Sequence, residues 1–537
     1  MGSGLGEELL ERLRARADAR AAWVRPGGDD LPDRPTTARL RDVAAAVESR
    51  RAGAAQELAA LLLAVDRDGD VVVLAEAERI LLTAGPRLWT ALDEAARRAW
   101  WHAPRWSADA VRRLMRDESS PLGLTVAASH PDGHVREAAV TALAELDDAL
   151  ALPALALRAI DWVPVVRDRS RAALERRLAE PSGEALVTTA AVALALRDRR
   201  AGRWLADRVE AVFREGSDEQ LAAALAARDR ATRRAAHLAA LAAGRLDLPR
   251  MLHAAERDDD LPTRLRCAEA AVRTAVAAGT PDLVRPLLTN GTAMVRAEAL
   301  YALARVGDVA AAEAALADRH PTVRAVAQAA LRRAGTDPAA RYRALVGAPH
   351  PAPGAIAGLG ETGVAADADL VRARLDHPRP RGRAEAVRAL RRLGATDPDT
   401  LLAMLTDPSG SVTRQVSTAL RPWASGLAPG PLRKLVAEGN PWHVRMAAYR
   451  LLRERDPWTR LLVDLELVAD PSPPMRGRAR GDIAAWLARE AATTYSMPRG
   501  ETADELAARL PDAADALGRE RVRLLRFHLG LGNRPVA

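Results

Sequence analysis

The chain has one cysteine, Cys267, in 537 residues. A lone thiol excludes an internal disulfide framework and any CxxC metal site. Aromatic residues make up 3% of the sequence, with two Phe and four Tyr. The core must therefore be mostly Ala, Leu and Val, and Ala and Leu are strong helix formers. The β-branched and aromatic runs that strands prefer are scarce. Lysine is almost missing as well: Lys434 is the only one, so the formal charge of +8 rests on Arg. A bias toward Arg, Ala, Gly and Pro is what a GC-rich coding sequence writes, and the placement of the charge matters more than its sum. The longest apolar runs, "LAALLLAV" (58–65) and "LVTTAAVALAL" (186–196), fall well short of the roughly 20 residues that span a bilayer. The N-terminus, "MGSGLGEELLERLRARADAR", is charged from residue 7 and has no apolar signal core. Gly6 stands where a myristoylation motif requires Ser or Thr. A soluble, cytoplasmic protein is expected.

What is present is a phrase that returns. "DRHPTVRAVAQAALRR" (318–333) has an Asp, a His-Pro, a Val-Arg and then small apolar residues at helical spacing. With Val323 as the anchor, equivalent anchors are Val135, Val166, Thr232, Thr263, Val295, Gly382, Val412, Val444 and Met475. Single steps between neighbours run from 28 to 32 residues, and two double steps, 166 to 232 and 323 to 382, leave room for degenerate units. "RDRRAGRWLADRVEAVF" and "HPAPGAIAGLGETG" sit near their middles. The anchor and the residues four, seven and eight later fall on one helical face. Five residues before it, Asp318, Asn290, Asp407 and Asp470 occupy a loop where they are expected to accept hydrogen bonds from free helix N–H groups. Each unit pairs this helix with a less regular one. Alone it cannot cover its apolar face, so it must stack.

The residue after the anchor is Arg136, Arg167, Arg233, Arg264, Arg296, Arg324, Arg383, Arg445 or Arg476. An Arg repeated at one point beside a loop Asp is expected to form a structural ladder of inter-repeat hydrogen bonds. The phrase D-x-x-x-x-V-R-x-x-A-x-x-A-L resembles the short HEAT-like repeat of bacteria, the E-Z or PBS-lyase type. The likeness covers roughly residues 120–490. It implies an all-α fold, a right-handed α–α superhelix of about twelve helix–turn–helix units with irregular caps, whose second helices line the concave side. The chain then divides into an irregular helical region with divergent repeats (1–120), the repeat array (121–490) and a C-terminal helical cap with a short tail (491–537).

Related repeats also occur in enzymes. Deoxyhypusine hydroxylases resemble this fold and bind iron through His-Glu pairs, and no His-Glu dipeptide is present here. Phycobilin lyases share the repeat name but offer no short motif to match. HEAT-like alkylpurine DNA glycosylases carry an Asp and Trp residues in a basic cleft, at no spacing that can be matched here. No P-loop, GxSxG, HExxH or GxGxxG occurs in a fitting context. The ten His show no ligand spacing. Asp66, Asp68 and Asp70 suggest a calcium loop, but Val71 and Ala77 occupy its sixth and twelfth positions. No cofactor or metal is expected.

Two local features invite a binding role. "AWWHAPRW" (99–106) concentrates Trp100, Trp101, Arg105 and Trp106, residue types found at binding hot spots; such rings equally plug the start of an array. Nine residues after the anchor, the C-terminal units carry Arg332, Arg391, Arg421 and Arg453, with Arg388 and Arg450 one turn earlier. Translated along a solenoid these six form a basic stripe on the second helices. It could meet an acidic protein or phosphates, or be a solvated helix end that complements the dipole. At the ends, "RPGGDDLPDRP" (25–35) reads as a linker after a first helix. Thr502 and Glu505 read as a capping box, "RVRLLRFHLG" as a closing helix, and "GNRPVA" as a fraying tail. The expected function is a non-enzymatic scaffold binding an unidentified protein partner. Nucleic-acid binding along the stripe is the alternative, and a glycosylase or lyase-type enzyme the third reading.

Overall fold

In the computed structural model, which describes residues 35–68, 70–102, 111–179, 182–494 and 496–531, the phrase at 318–333 is a loop followed by the helix Pro321–Arg333. Pro321 suits the first turn, where its missing N–H has no partner to lose. The anchor Val323 and its companions Ala327, Ala330 and Leu331 are all buried. Two polar residues of the same face, Arg324 and Gln328, are buried with them.

Every anchor carries an equivalent helix. In the first part of the chain these are Gly133–Glu145, Pro164–Arg177, Arg230–Ala242 and Leu261–Ala277. In the second they are Ala293–Arg305, Pro321–Arg333, Pro380–Arg392, Gly410–Leu420, Trp442–Arg455 and Pro473–Arg489. The two double steps each hold one more, Arg203–Glu215 and Pro353–Thr362. The described residues contain helices and no strand, and none of these helices is long and apolar enough to cross a membrane. The chain is all-α, an α–α superhelix of HEAT-like hairpins.

Between phrase helices the chain turns in a fixed way. Gly335 and Gly394, each just past a helix end, hold φ of +75° and +69°, the left-handed region where a side chain is strained. An Asp then starts the next helix: Asp337 and Asp397 accept from backbone N–H groups of its first turn. The N-cap of the phrase helix is not the residue five before the anchor. It is the residue three before, as in Asp132, Asp229, Asp260 and His320. Asp318, Asp407 and Asp470 instead accept from the N–H two residues on, at 2.7, 2.8 and 2.9 Å. That is an Asx turn placed before the helix, which leaves the rest of the carboxylate for another donor.

The chain forms two compact units, divided after Thr280. The core of the first runs from Leu40 to Ala239 and includes Trp89 and Phe213. In the second, Tyr449 and Trp486 anchor a core from Ala384 to Leu529. The degenerate helix Pro353–Thr362 shows why its phrase was lost. Tyr342, buried beneath it, donates to the carbonyl of Leu316 at 3.1 Å. A Cβ at Gly358 would lie 2.1 Å from its ring, and one at Gly360 would lie 2.5 Å from Ala389. Glycine replaces the usual Ala because the neighbours come closer here. Gly358→Ala is expected to lower stability by about 1–3 kcal/mol, and Tyr342→Leu in the same chain to restore part of it, read from urea midpoints.

Several end features differ from expectation or lie outside the described residues. The helix Glu501–Asp512 is preceded by Gly500 at φ +56° and has no side-chain cap. Thr502 and Glu505 therefore sit inside it, because glycine lets the helix start earlier, and Glu505 pairs with Arg433 at 3.0 Å. Asp70 caps Val71–Thr83. Arg519–His528 buries Val522 and Leu525 but leaves Phe527 exposed. Residues 25–34 of the linker and the tail 532–537 lie outside the described residues, as do Arg105 and Trp106. Trp100 and Trp101 end the helix Pro86–His102, and their side chains lie outside the described residues.

Candidate binding groove

Four of the recurring arginines make the same three bonds, and a fifth, Arg445, keeps the carboxylate with a different carbonyl. Arg136 donates through Nε and Nη2 to Asp161 at 2.9 and 3.0 Å, and through Nη1 to the carbonyl of His130 at 2.8 Å. Arg296 does so with Asp318 (2.8 and 2.7 Å) and the carbonyl of Asn290 (2.8 Å). Arg383 does so with Asp407 (2.7 and 3.0 Å) and the carbonyl of His377 (2.9 Å). Arg233 reaches Asp258 at 2.9 and 3.3 Å and the carbonyl of Ala227 at 2.6 Å. Arg445 pairs with Asp470 and the carbonyl of Val436. One guanidinium thus joins its own loop to the next. Burial pushes the carboxyls of Asp161, Asp318 and Asp407 up, but the guanidinium and backbone donors pull them down further, and all three end below the ordinary Asp value.

Where the next unit departs, the rung changes. His350 stands at the loop position after Arg324, and Arg324 turns to Glu361 at 3.0 Å instead, while Gln328 donates to the same carboxylate at 3.1 Å. Arg167 pairs with its neighbour Asp168 at 3.2 Å. Arg264 keeps Nε buried without a partner. Arg476, in the last phrase, reaches the carbonyl of its own Asp470 at 2.6 Å. His377, in place of a loop Asp, accepts the N–H of Arg379 at 3.0 Å and fills the space where Gly382 has no Cβ.

The six stripe arginines lie on, or directly after, phrase helices of the second unit, and they do not share one state. Arg388 pairs with Glu385 at 2.8 Å, Arg421 with Glu454 at 3.0 Å and Arg453 with Asp482 at 2.8 Å. Arg332 and Arg391 are exposed, with no carboxylate in ion-pair reach among the described residues. Arg450 is half-buried and also lacks one. Burial lowers its pKa, and the positive charges of Arg478 and Arg414 lower it further. Arg414 and Arg478 stand at other positions of their phrases, two and three after the anchor, so a count at plus six and plus nine misses them.

Four of the stripe arginines, Arg391, Arg421, Arg450 and Arg453, open with Arg414 on two cavities, and Arg332 and Arg388 line neither. One, of about 530 Å³, is lined by Arg391, Thr396, Thr418, Arg421, Trp423 and Glu454. The other, of about 290 Å³, is lined by Arg414, Ser417, Arg450 and Arg453 and shares Thr418, Arg421 and Glu454 with the first. Together they form a groove with five arginines against one carboxylate. Trp423, 39% exposed, is its one aromatic wall.

A buried acid lies behind it. The hydroxyl of Tyr449 sits 2.5 Å from Asp464 and 2.7 Å from Asp482. One phenolic proton cannot serve two carboxylates. Burial, with the charge of Asp482, pushes Asp464 up to about 7 against the pull of Tyr449, Arg453 and Arg460. Its other oxygen, Oδ2, is buried without a partner, as suits a neutral acid better than an ion. The proton order that fits these contacts has neutral Asp464 donating to the Tyr449 oxygen and Tyr449 donating to Asp482, an ionised carboxylate that faces Arg453 at 2.8 Å.

Other chemistry is thin. Burial, aided by Asp258, pushes the Cys267 thiol up to about 12, so it is no nucleophile at neutral pH. Among the described residues no three His, Cys, Asp or Glu are grouped to hold a metal ion.

No protein-family model matches the sequence, and no curated protein matches it. Among solved structures, importin beta in an ammonium sulfate condition is similar at 14% identity, over 98% of this chain and 71% of that one, with a TM-score of 0.30. A homology model of the full-length AP-3 complex is similar at 9% identity, over 93% of both chains, also at 0.30. UNC-45 from Drosophila melanogaster is similar at 12% identity, over 98% of this chain and 89% of that one, at 0.21.

Proposed function

We propose that this chain is a non-enzymatic, cytoplasmic scaffold of the bacterial E-Z type, which holds a partner protein on the inner face of its helical repeats. The observation that carries the reading is the division among its arginines. Five of the ladder, Arg136, Arg233, Arg296, Arg383 and Arg445, are held by loop carboxylates, whereas Arg391, Arg414 and Arg450 converge on an open groove and have no carboxylate in ion-pair reach among the described residues. Guanidinium groups left without counter-charges on a shared surface favour an external anionic partner. Nucleic acid is the second reading, favoured by the same positive excess.

Affinity capture from the native lysate at low salt, with and without nuclease, separates the two. A defined protein recovered equally in both samples is the expected result. Recovery of nucleic acid, or of proteins that vanish with nuclease, would replace the scaffold with the second reading.

A further inference from the structure

We infer that the groove between Arg391 and Arg450 takes an extended acidic protein segment carrying an apolar side chain, which packs on Trp423. The inference rests on the scaffold reading and names its partner chemistry. Three observations meet at one place. The first is charge: five arginines line the groove and Glu454, already held by Arg421, is the only acid in it. The positive charge left over belongs to Arg391, Arg414 and Arg450, on three phrase helices, Pro380–Arg392, Gly410–Leu420 and Trp442–Arg455. The charges are therefore spread along the groove, not gathered on one atom-sized spot. An occupant with carboxylates spaced along a chain fits that spread better than a single compact anion.

The second observation is desolvation. Arg450 is half-buried among like charges, a position that an incoming carboxylate relieves. The third is Trp423. It is exposed in the larger cavity beside Arg421 and Pro422, and an exposed ring next to arginines is the usual composition of a protein-binding anchor. A single-stranded nucleic acid needs successive stacking platforms, and this groove offers one ring.

The test uses the full chain and two labelled probes, a dodecapeptide of alternating Glu and Leu and a dodecathymidylate, in fluorescence anisotropy at low salt. The peptide is expected to bind saturably. Arg414→Glu with Arg450→Glu is expected to weaken it by roughly tenfold or more, and Trp423→Ala severalfold. Because Arg450 is partly buried, the exposed Arg391→Glu serves as the second variant, with thermal melting as the check on folding. Peptide binding that is absent, or unchanged in Arg391→Glu, would overturn the inference. So would an oligonucleotide that binds and is not displaced by the peptide. These results leave the scaffold reading itself to the capture experiment: a nuclease-resistant protein partner recovered alongside a silent peptide would place the partner elsewhere on the chain.

Discussion

Asp161→Ala should lower the stability of the chain by about 3–5 kcal/mol, the range for breaking a buried ion pair from one side. The carboxylate and its partner Arg136 are both fully buried, and Arg158, 1% exposed, donates to the same carboxylate at 3.1 Å. Removing Asp161 leaves three guanidinium groups, Arg97, Arg136 and Arg158, with Asp93 as their one carboxylate among the described residues. Arg136→Met should cost less, because Asp161 keeps Arg158 and the N–H of Val163 at 3.0 Å. The double variant should cost less than the two losses added, since an ion pair replaced whole by apolar groups is close to neutral. Arg167→Met is the control: its pair with Asp168 is exposed and should move stability by under about 1 kcal/mol. Urea denaturation of the four variants measures the series. Equal losses in Asp161→Ala and Arg167→Met would show that the rungs do not hold the repeats together.

The second large effect concerns pH. The folded-state pKa of Asp464, about 7, lies above its ordinary value of 3.8. The folded chain therefore holds this proton more tightly than the unfolded chain. Its contribution is most favourable below about pH 4, falls as pH rises toward 7, and levels off above. The difference across that window is on the order of 4 kcal/mol at most. Asp464→Asn removes the ionisation while leaving an N–H donor for the Tyr449 oxygen. The variant should gain on the natural chain as pH goes from 5 to 8, with the gap closing again in acid. Urea midpoints at several pH values read this directly. Parallel curves would mean that Asp464 is ionised in the fold and that the order of protons through Tyr449 is wrong.

Much of the fold was legible because the period is written in residues that the helix itself requires. Val323, Ala327 and Leu331 mark a buried face, and the step of about 30 residues places the next face against it. The degenerate units were legible only as gaps. Gly358 replaces an expected Ala because of Tyr342, a contact that no periodic pattern contains. The loop Asp was seen, but its task was misplaced: the cap lies two residues later, and the carboxylate is turned toward the previous unit's Arg. The groove was legible in part. Arg391, Arg421 and Arg450 recur in phase, whereas Arg414 and Arg478 do not. Which of the arginines lack a counter-ion depends on Glu385, Glu454 and Asp482, whose reach cannot be read from spacing. The acid pair around Tyr449 gave no sign, because its members come from three helices at positions that never repeat.

The central claim is that a partner protein binds through the arginines this fold leaves without carboxylates. The most direct test is the affinity of the captured partner for the natural chain and for Arg391→Glu with Arg414→Glu, measured across a range of salt. The predicted result is a clear loss in the variant, an intact melting transition, and an affinity for the natural chain that survives moderate salt because apolar contact shares the load. An unchanged affinity in the variant would contradict the claim. So would a steep log–log loss with salt of the kind phosphate contacts produce.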